Sequence, residues 1–109
     1  MKHRLNTILL LLSLSVCGYS VAQITPSTYV IVHGAWGGSW VFKEVDQLLS
    51  ATGNTVYRPS LTGQGERVHL ADESIGLETH IMDVVNTLQF EELENVILVG
   101  HSYGVVVVT

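Results

Sequence analysis

Gly100-His101-Ser102-Tyr103-Gly104 sets a serine between two glycines at the end of the apolar run Val96-Ile97-Leu98-Val99. A hydroxyl that is to act as a nucleophile must stand clear of its neighbours and lose its proton to a base. A G-x-S-x-G turn lifts the serine on a sharp strand-to-helix bend, the nucleophile elbow, and glycine on each side removes two Cβ atoms that would collide there. The chemistry it points to is attack on a carbonyl carbon, which builds an oxyanion in need of fixed donors. Three fixed positions match by chance in roughly 4% of chains this long. The motif therefore argues only together with its surroundings.

Those surroundings include a second special turn, His33-Gly34-Ala35-Trp36-Gly37-Gly38, which follows the β-branched run Tyr29-Val30-Ile31-Val32. The Tyr103 amide would open a helix, where N–H groups lack partners and the dipole favours negative charge. Ala35 is the best-placed second donor, and losing one such donor costs about 3 to 4 kcal/mol of transition-state stabilisation. His33 is expected to hold this turn by hydrogen bonding rather than to titrate in catalysis. Trp36 and Trp40 are candidates to line an acyl or alcohol pocket, with core packing as the plainer reading.

The elements that must position these turns follow from hydrophobic period. Tyr29 to Val32 and Val96 to Val99 are apolar on both faces, as parallel strands covered by helices are. Ser39 is a candidate N-cap for a helix whose apolar stripe is Val41, Val45, Leu48 and Leu49, with Gly53 placed to end it. Thr55 to Arg58 is a short second strand closed by Pro59, and Ser60 to Ile75 is a long polar loop of the kind that forms a working rim. Leu77, Ile81, Val84, Val85 and Leu88 mark a second helix, and Glu91, Glu92 and Glu94 a solvated turn before the third strand. Strand, helix, strand, helix, strand, helix is an α/β order with a parallel sheet. Right-handed crossovers with helices on opposite faces make the first and third strands neighbours, so both special turns meet at the switch point where open α/β sheets bind ligands.

None of the other histidines reads as the missing base. His101 sits beside the serine in a tight turn, so its side chain should point away; His80 falls beside the apolar stripe of the second helix and reads as structural; His69 lies in the loop. No histidine pairs at i+4 and no H-E-x-x-H occurs, so neither a metal nor any other cofactor is expected. Glu66 and Arg67 read as a surface ion pair before they read as substrate guides.

Residues 1–22 read as a secretory signal rather than part of the fold: Lys2, His3 and Arg4 precede the apolar core Ile8 to Val16, and Ser20-Val21-Ala22 resembles a cleavage site before Gln23. The core is shorter than the ~20 residues of a membrane-spanning helix, so no stable anchor is expected and the product would be secreted or periplasmic. Residues 23–27 form a short linker and 28–109 a partial α/β domain. Cleavage removes Cys17 and two of five cations, leaving Lys43, Arg58 and Arg67 against ten carboxylates, a formal charge of −7 on 87 residues. Such a chain repels phosphate backbones, which argues against nucleic acid as partner, and has no thiol for a disulfide.

Val32-His33-Gly34-Ala35-Trp36 followed by Val99-Gly100-His101-Ser102-Tyr103-Gly104 resembles the N-terminal part of the α/β-hydrolase fold superfamily. More narrowly it resembles the branch of plant methylesterases, hydroxynitrile lyases and bacterial pyrethroid-hydrolase-like esterases, with Ser60-Leu61-Thr62-Gly63-Gln64-Gly65-Glu66-Arg67 similar to a loop of the bacterial members. The resemblance implies Ser102 as nucleophile, Ala35 and Tyr103 as oxyanion amides, and a small-molecule ester as substrate. In this fold the triad order is Ser, acid, His, so the acid and base are expected beyond Thr109 and the 109-residue chain alone is expected to be inactive. A C–C lyase using the same site and a non-catalytic relative are the alternatives. Where relatives usually have a second glycine after the elbow, this chain has Val105, a β-branched residue expected to crowd the helix against the sheet.

Overall fold

In the computed structural model residues 25–109 are described, together with Gly18. The expected signal segment and its cleavage site lie outside the described residues, apart from that glycine.

Three parallel strands form one sheet: β1 (Thr28–Val32), β2 (Thr55–Tyr57) and β3 (Val96–Gly100), in spatial order β2-β1-β3. The chain runs from β1 through α1 (Lys43–Ala51) to β2, then crosses back through α2 (Leu77–Phe90) to β3 on the far side of β1. That reversal, with right-handed crossovers, puts α1 and α2 on opposite faces. The expected neighbourhood of first and third strands is therefore present, in a register that pairs Val32 with Gly100.

The central strand is covered on both faces. Val30 and Val32 point one way and join Leu61, Val84 and Val107 in the buried cluster, while Ile31, also buried, points the other way. Helix α3 (Tyr103–Val108) packs against α2 on the cluster side. Gly53 ends α1 as expected, at φ 90° with its N–H on Ser50 O at 3.0 Å.

Four expectations are corrected. Ser39 is not the N-cap of α1. Gly38 precedes a 3-10 turn, Ser39–Phe42, and the Ser39 amide is taken by Ser60 Oγ at 2.8 Å, so the loop after β2 does the capping. The apolar stripe of the first helix forms but is not covered: no residue of α1 is buried and Leu48 is 72% exposed. The loop after β2, expected as a polar loop, is partly core and partly ordered: Ser60 and Leu61 are buried and Gly65–Leu70 forms a 3-10 segment. Finally, Val105 does not crowd the sheet; its side chain is 47% exposed, and it is Gly104 that makes the close approach to β1.

Candidate active site

The register of β1 and β3 brings the two glycine-rich turns side by side. His101 N–H donates to Val32 O at 3.0 Å, so the chains leave the sheet in step. A Cβ on Gly34 would lie 3.0 Å from Ser102 Cβ and 3.3 Å from the His101 carbonyl oxygen. Only glycine lets the turn come this near the serine. One on Gly104 would overlap the Val32 carbonyl oxygen and lie 2.7 Å from that of His33; one on Gly100 would lie 2.7 Å from Gly104 O. Both glycines of the motif are thus fixed by contact, the first against the new helix and the second against β1.

Ser102 has φ 53° and ψ −121°, the sharp bend the spacing implied. A non-glycine residue in such a conformation costs about 1–3 kcal/mol and persists only where its surroundings over-determine it. Here Gly104 N–H returns to His101 O at 2.8 Å and Val105 N–H to Ser102 O at 2.9 Å, closing the first turn of α3 around it.

His33 orients the other turn. Its ring is buried; Leu61 N–H donates to Nε2 at 2.9 Å, so the ring proton sits on Nδ1, which donates to Gly34 O at 2.7 Å. Gly37 N–H reaches the same oxygen at 3.2 Å. The Gly34 carbonyl and the Ala35 N–H belong to one planar trans peptide and point opposite ways, so holding the carbonyl aims the amide. The next amide, Trp36 N–H, is occupied by Gln64 Oε1 at 3.0 Å, and Trp36 itself has φ 58°. The amides of Ala35 and Tyr103, the two the sequence points to, have no acceptor among the described residues, as is also true of those of Gly34, Gly38 and Ser102.

The loop after β2 clasps this turn. Ser60 Oγ takes Ser39 N–H and donates to Glu66 Oε1 at 2.7 Å, and Arg67 Nη1 donates to Ser60 O at 2.9 Å. Gly65 meets Gly38 backbone to backbone, a Cβ on Gly65 falling 2.8 Å from Gly38 Cα. Glu66 and Arg67 are therefore not the ion pair expected of them: Glu66 serves two serines, and Arg67 faces Asp83 at 3.7 Å. The Ser60 hydroxyl, then the Glu66 amide and the Ser39 hydroxyl, hold the Glu66 carboxyl below the usual glutamate range. Gln64, Ser60 and Asp83 escaped the sequence reading. A carboxylate one turn after His80 in an apolar stripe was the one signal that could have found Asp83.

The remaining candidates fall as follows. Trp36 and Trp40 are not core: they are 94% and 62% exposed and lie between a recess of about 260 Å³ that reaches Gly34, Ala35 and His101 and one of about 360 Å³ that reaches Gln64 and Val68. The larger recess of about 700 Å³, between Val85 and Glu94, lies at the opposite end of β3 from the elbow. His101 packs edge-on against Phe42 with ring centroids 5.6 Å apart, and His69 is exposed. His80 is buried, with both ring nitrogens engaged. Among the described residues no three His, Cys, Asp or Glu side chains come together as a metal site would require, and no helix is long and apolar enough to cross a membrane.

The chain is similar to several known proteins. The chain is 48% identical over 83 residues to a carbendazim-hydrolysing esterase of Nocardioides sp. (strain SG-4G), covering 76% of this chain and 34% of that one. It is 30% identical to methylesterase 8 of Arabidopsis thaliana, covering 91% of this chain and 37% of the relative. An extracellular α/β-hydrolase from a Paenibacillus species superposes with a TM-score of 0.66 at 33% identity, over 76% of this chain and 33% of the other. The chain thus spans about a third of the length of the relatives it matches. With the family pattern matched from residue 29 to residue 109, elbow and first glycine-rich turn included, the chain belongs to the alpha/beta hydrolase family.

Proposed function

We propose that the protein is an exported serine hydrolase of carboxylic esters and that this chain supplies its nucleophile and both oxyanion donors. Ser102 Oγ adds to the ester carbonyl while a base takes its proton, and the oxyanion is received by the amides of Ala35 and Tyr103. Collapse expels the alcohol, which recovers the proton, and leaves an acyl group on Ser102; water then attacks and releases the acid. The one observation that carries this reading is that Gly34 abuts Ser102, which sets the turn bearing the Ala35 amide beside a strained serine.

His33 and His80 spend both ring nitrogens on structure, and His101 packs against Phe42. The reading takes its general base and acid from outside the described residues, following the Ser–acid–His chain order of the family. Relatives with esterase activity support the ester as substrate class, and the exposed Trp36 beside the 260 Å³ recess supports a contact to its acyl or alcohol group. Export rests on the basic start, short apolar core and Ser20-Val21-Ala22 of the N-terminus, supported by an extracellular neighbour.

The test is labelling of the full-length protein by a fluorophosphonate probe. Ser102→Ala must abolish it; equal labelling of both proteins ends the reading. Export is checked separately, by a mature mass that begins at Gln23 in the periplasm or medium.

A further inference from the structure

His80 is a buried titratable residue that the proposed reaction does not use. It is 6% exposed within the apolar side of α2, where a leucine would cost nothing in desolvation. Its partners fix one tautomer. Thr62 O, 2.9 Å from Nε2, can only accept, so Nε2 carries the proton; Nδ1 then accepts from the Tyr103 hydroxyl at 2.8 Å. The rings of His80 and Tyr103 also meet edge to face at 5.6 Å.

Tyr103 is the residue after Ser102 and owns one of the two amides proposed to receive the oxyanion, so its side chain is a handle on the peptide that the reaction needs. The other end of the handle is just as firmly held. Thr62 has its carbonyl on His80, while its N–H and hydroxyl go to Asp83 at 2.6 and 2.7 Å, three residues along α2. Leu61, its neighbour, sends its N–H to His33, which aims the Ala35 amide through Gly34. Two adjacent residues of one loop thereby reach the two amides through two histidines.

We propose that His80 is a positioning residue that holds the Tyr103 amide in register with the Ala35 amide, with Leu61-Thr62 as the common frame. The inference rests on the ester-hydrolase reading for its catalytic consequence, and on hydrogen bonding alone for the positioning.

The experiment compares His80→Leu, Tyr103→Phe, the double variant and His80→Asn in the full-length protein, with kcat per titrated active site, KM and melting temperature read for each. His80→Leu and Tyr103→Phe should each lower kcat about tenfold with KM little changed, within the range that remote misplacement allows. The double variant should be no worse than the poorer single, because both cut one path. His80→Asn, whose amide oxygen stands near the former Nδ1, should recover part of the loss. A lower melting temperature with unchanged kcat in both single variants overturns the proposal, as do fully additive losses. Should the wild type acylate no ester, the hydrolase reading fails by itself; positioning is then decided by NMR, where the residue-103 amide resonance must move in His80→Leu and return toward wild type in His80→Asn. A resonance indifferent to residue 80 overturns it.

Discussion

Gly34 has little room beside the nucleophile. A methyl group there would sit 3.0 Å from Ser102 Cβ, a separation at which one side must yield by a few tenths of an ångström. The contact falls on the nucleophile's own Cβ, so relief of it shifts the hydroxyl. Gly34→Ala should therefore leave the fold standing and lower kcat by roughly 10²-fold, the scale of loss that small misplacements produce; single-turnover acylation of the purified variant checks it. His33→Leu should harm fold and reaction together. It strands the buried Leu61 N–H at a cost of about 1–3 kcal/mol and frees the peptide that aims Ala35, so denaturant unfolding and acylation should both suffer. Both residues were legible in the sequence as members of a glycine-rich turn after a strand, though not the distant atoms that fix them, Leu61 N–H for His33 and Ser102 Cβ for Gly34. His80 was placed correctly as a buried structural residue but its partners were not, since Thr62 and Tyr103 lie 18 and 23 positions distant. Nothing in an apolar period says what meets it across the core.

At the scale of elements, the strands, their order and the meeting of the two turns follow from short-range patterns and the handedness of crossovers, which is why they could be read. The loop after β2 could not, because its order comes from contacts to other elements: Ser60 with Ser39, Gln64 with Trp36, Gly65 with Gly38. The first helix shows the converse, a stripe with the right period and no cover among the described residues. The clasp carries a pH dependence of definite sign. Glu66 is held below its ordinary value, chiefly by the Ser60 hydroxyl, so its contribution is full above the unfolded pKa of roughly 4.3 and is lost as pH falls through the lower folded value. Ser60→Ala removes that bond and strands Ser39 N–H. Its melting temperature should fall at neutral pH and decline less steeply than wild type on acidification below about pH 4.3; parallel melting curves for the two proteins would contradict this.

For the whole molecule, the sheet order β2-β1-β3 leaves β3 at an edge, although its sequence is that of an interior strand. Val96 to Val99 is apolar without alternation, and both Ile97 and Leu98 are more than a third exposed. The neighbouring helix adds Val105 and Val106, each about half exposed, and α2 ends in a largely exposed Phe90. An apolar edge with no partner among the described residues, bordered by open apolar side chains, is a template for further strand pairing. No proline and no charge interrupts it from Val96 to Val99, so the devices that blunt natural edges are missing here. The formal charge of −7 does not protect the edge, because none of the ten carboxylates lies along β3; the nearest in the chain, Glu91, Glu92 and Glu94, precede it. Residues 23–109 expressed alone should therefore self-associate, with a weight-average mass by sedimentation that rises with concentration. Ile97→Lys, which puts a charge on the edge strand, should reduce that association while leaving the β1–β3 pairing intact; a monomeric wild-type segment with a cooperative melt would refute the argument.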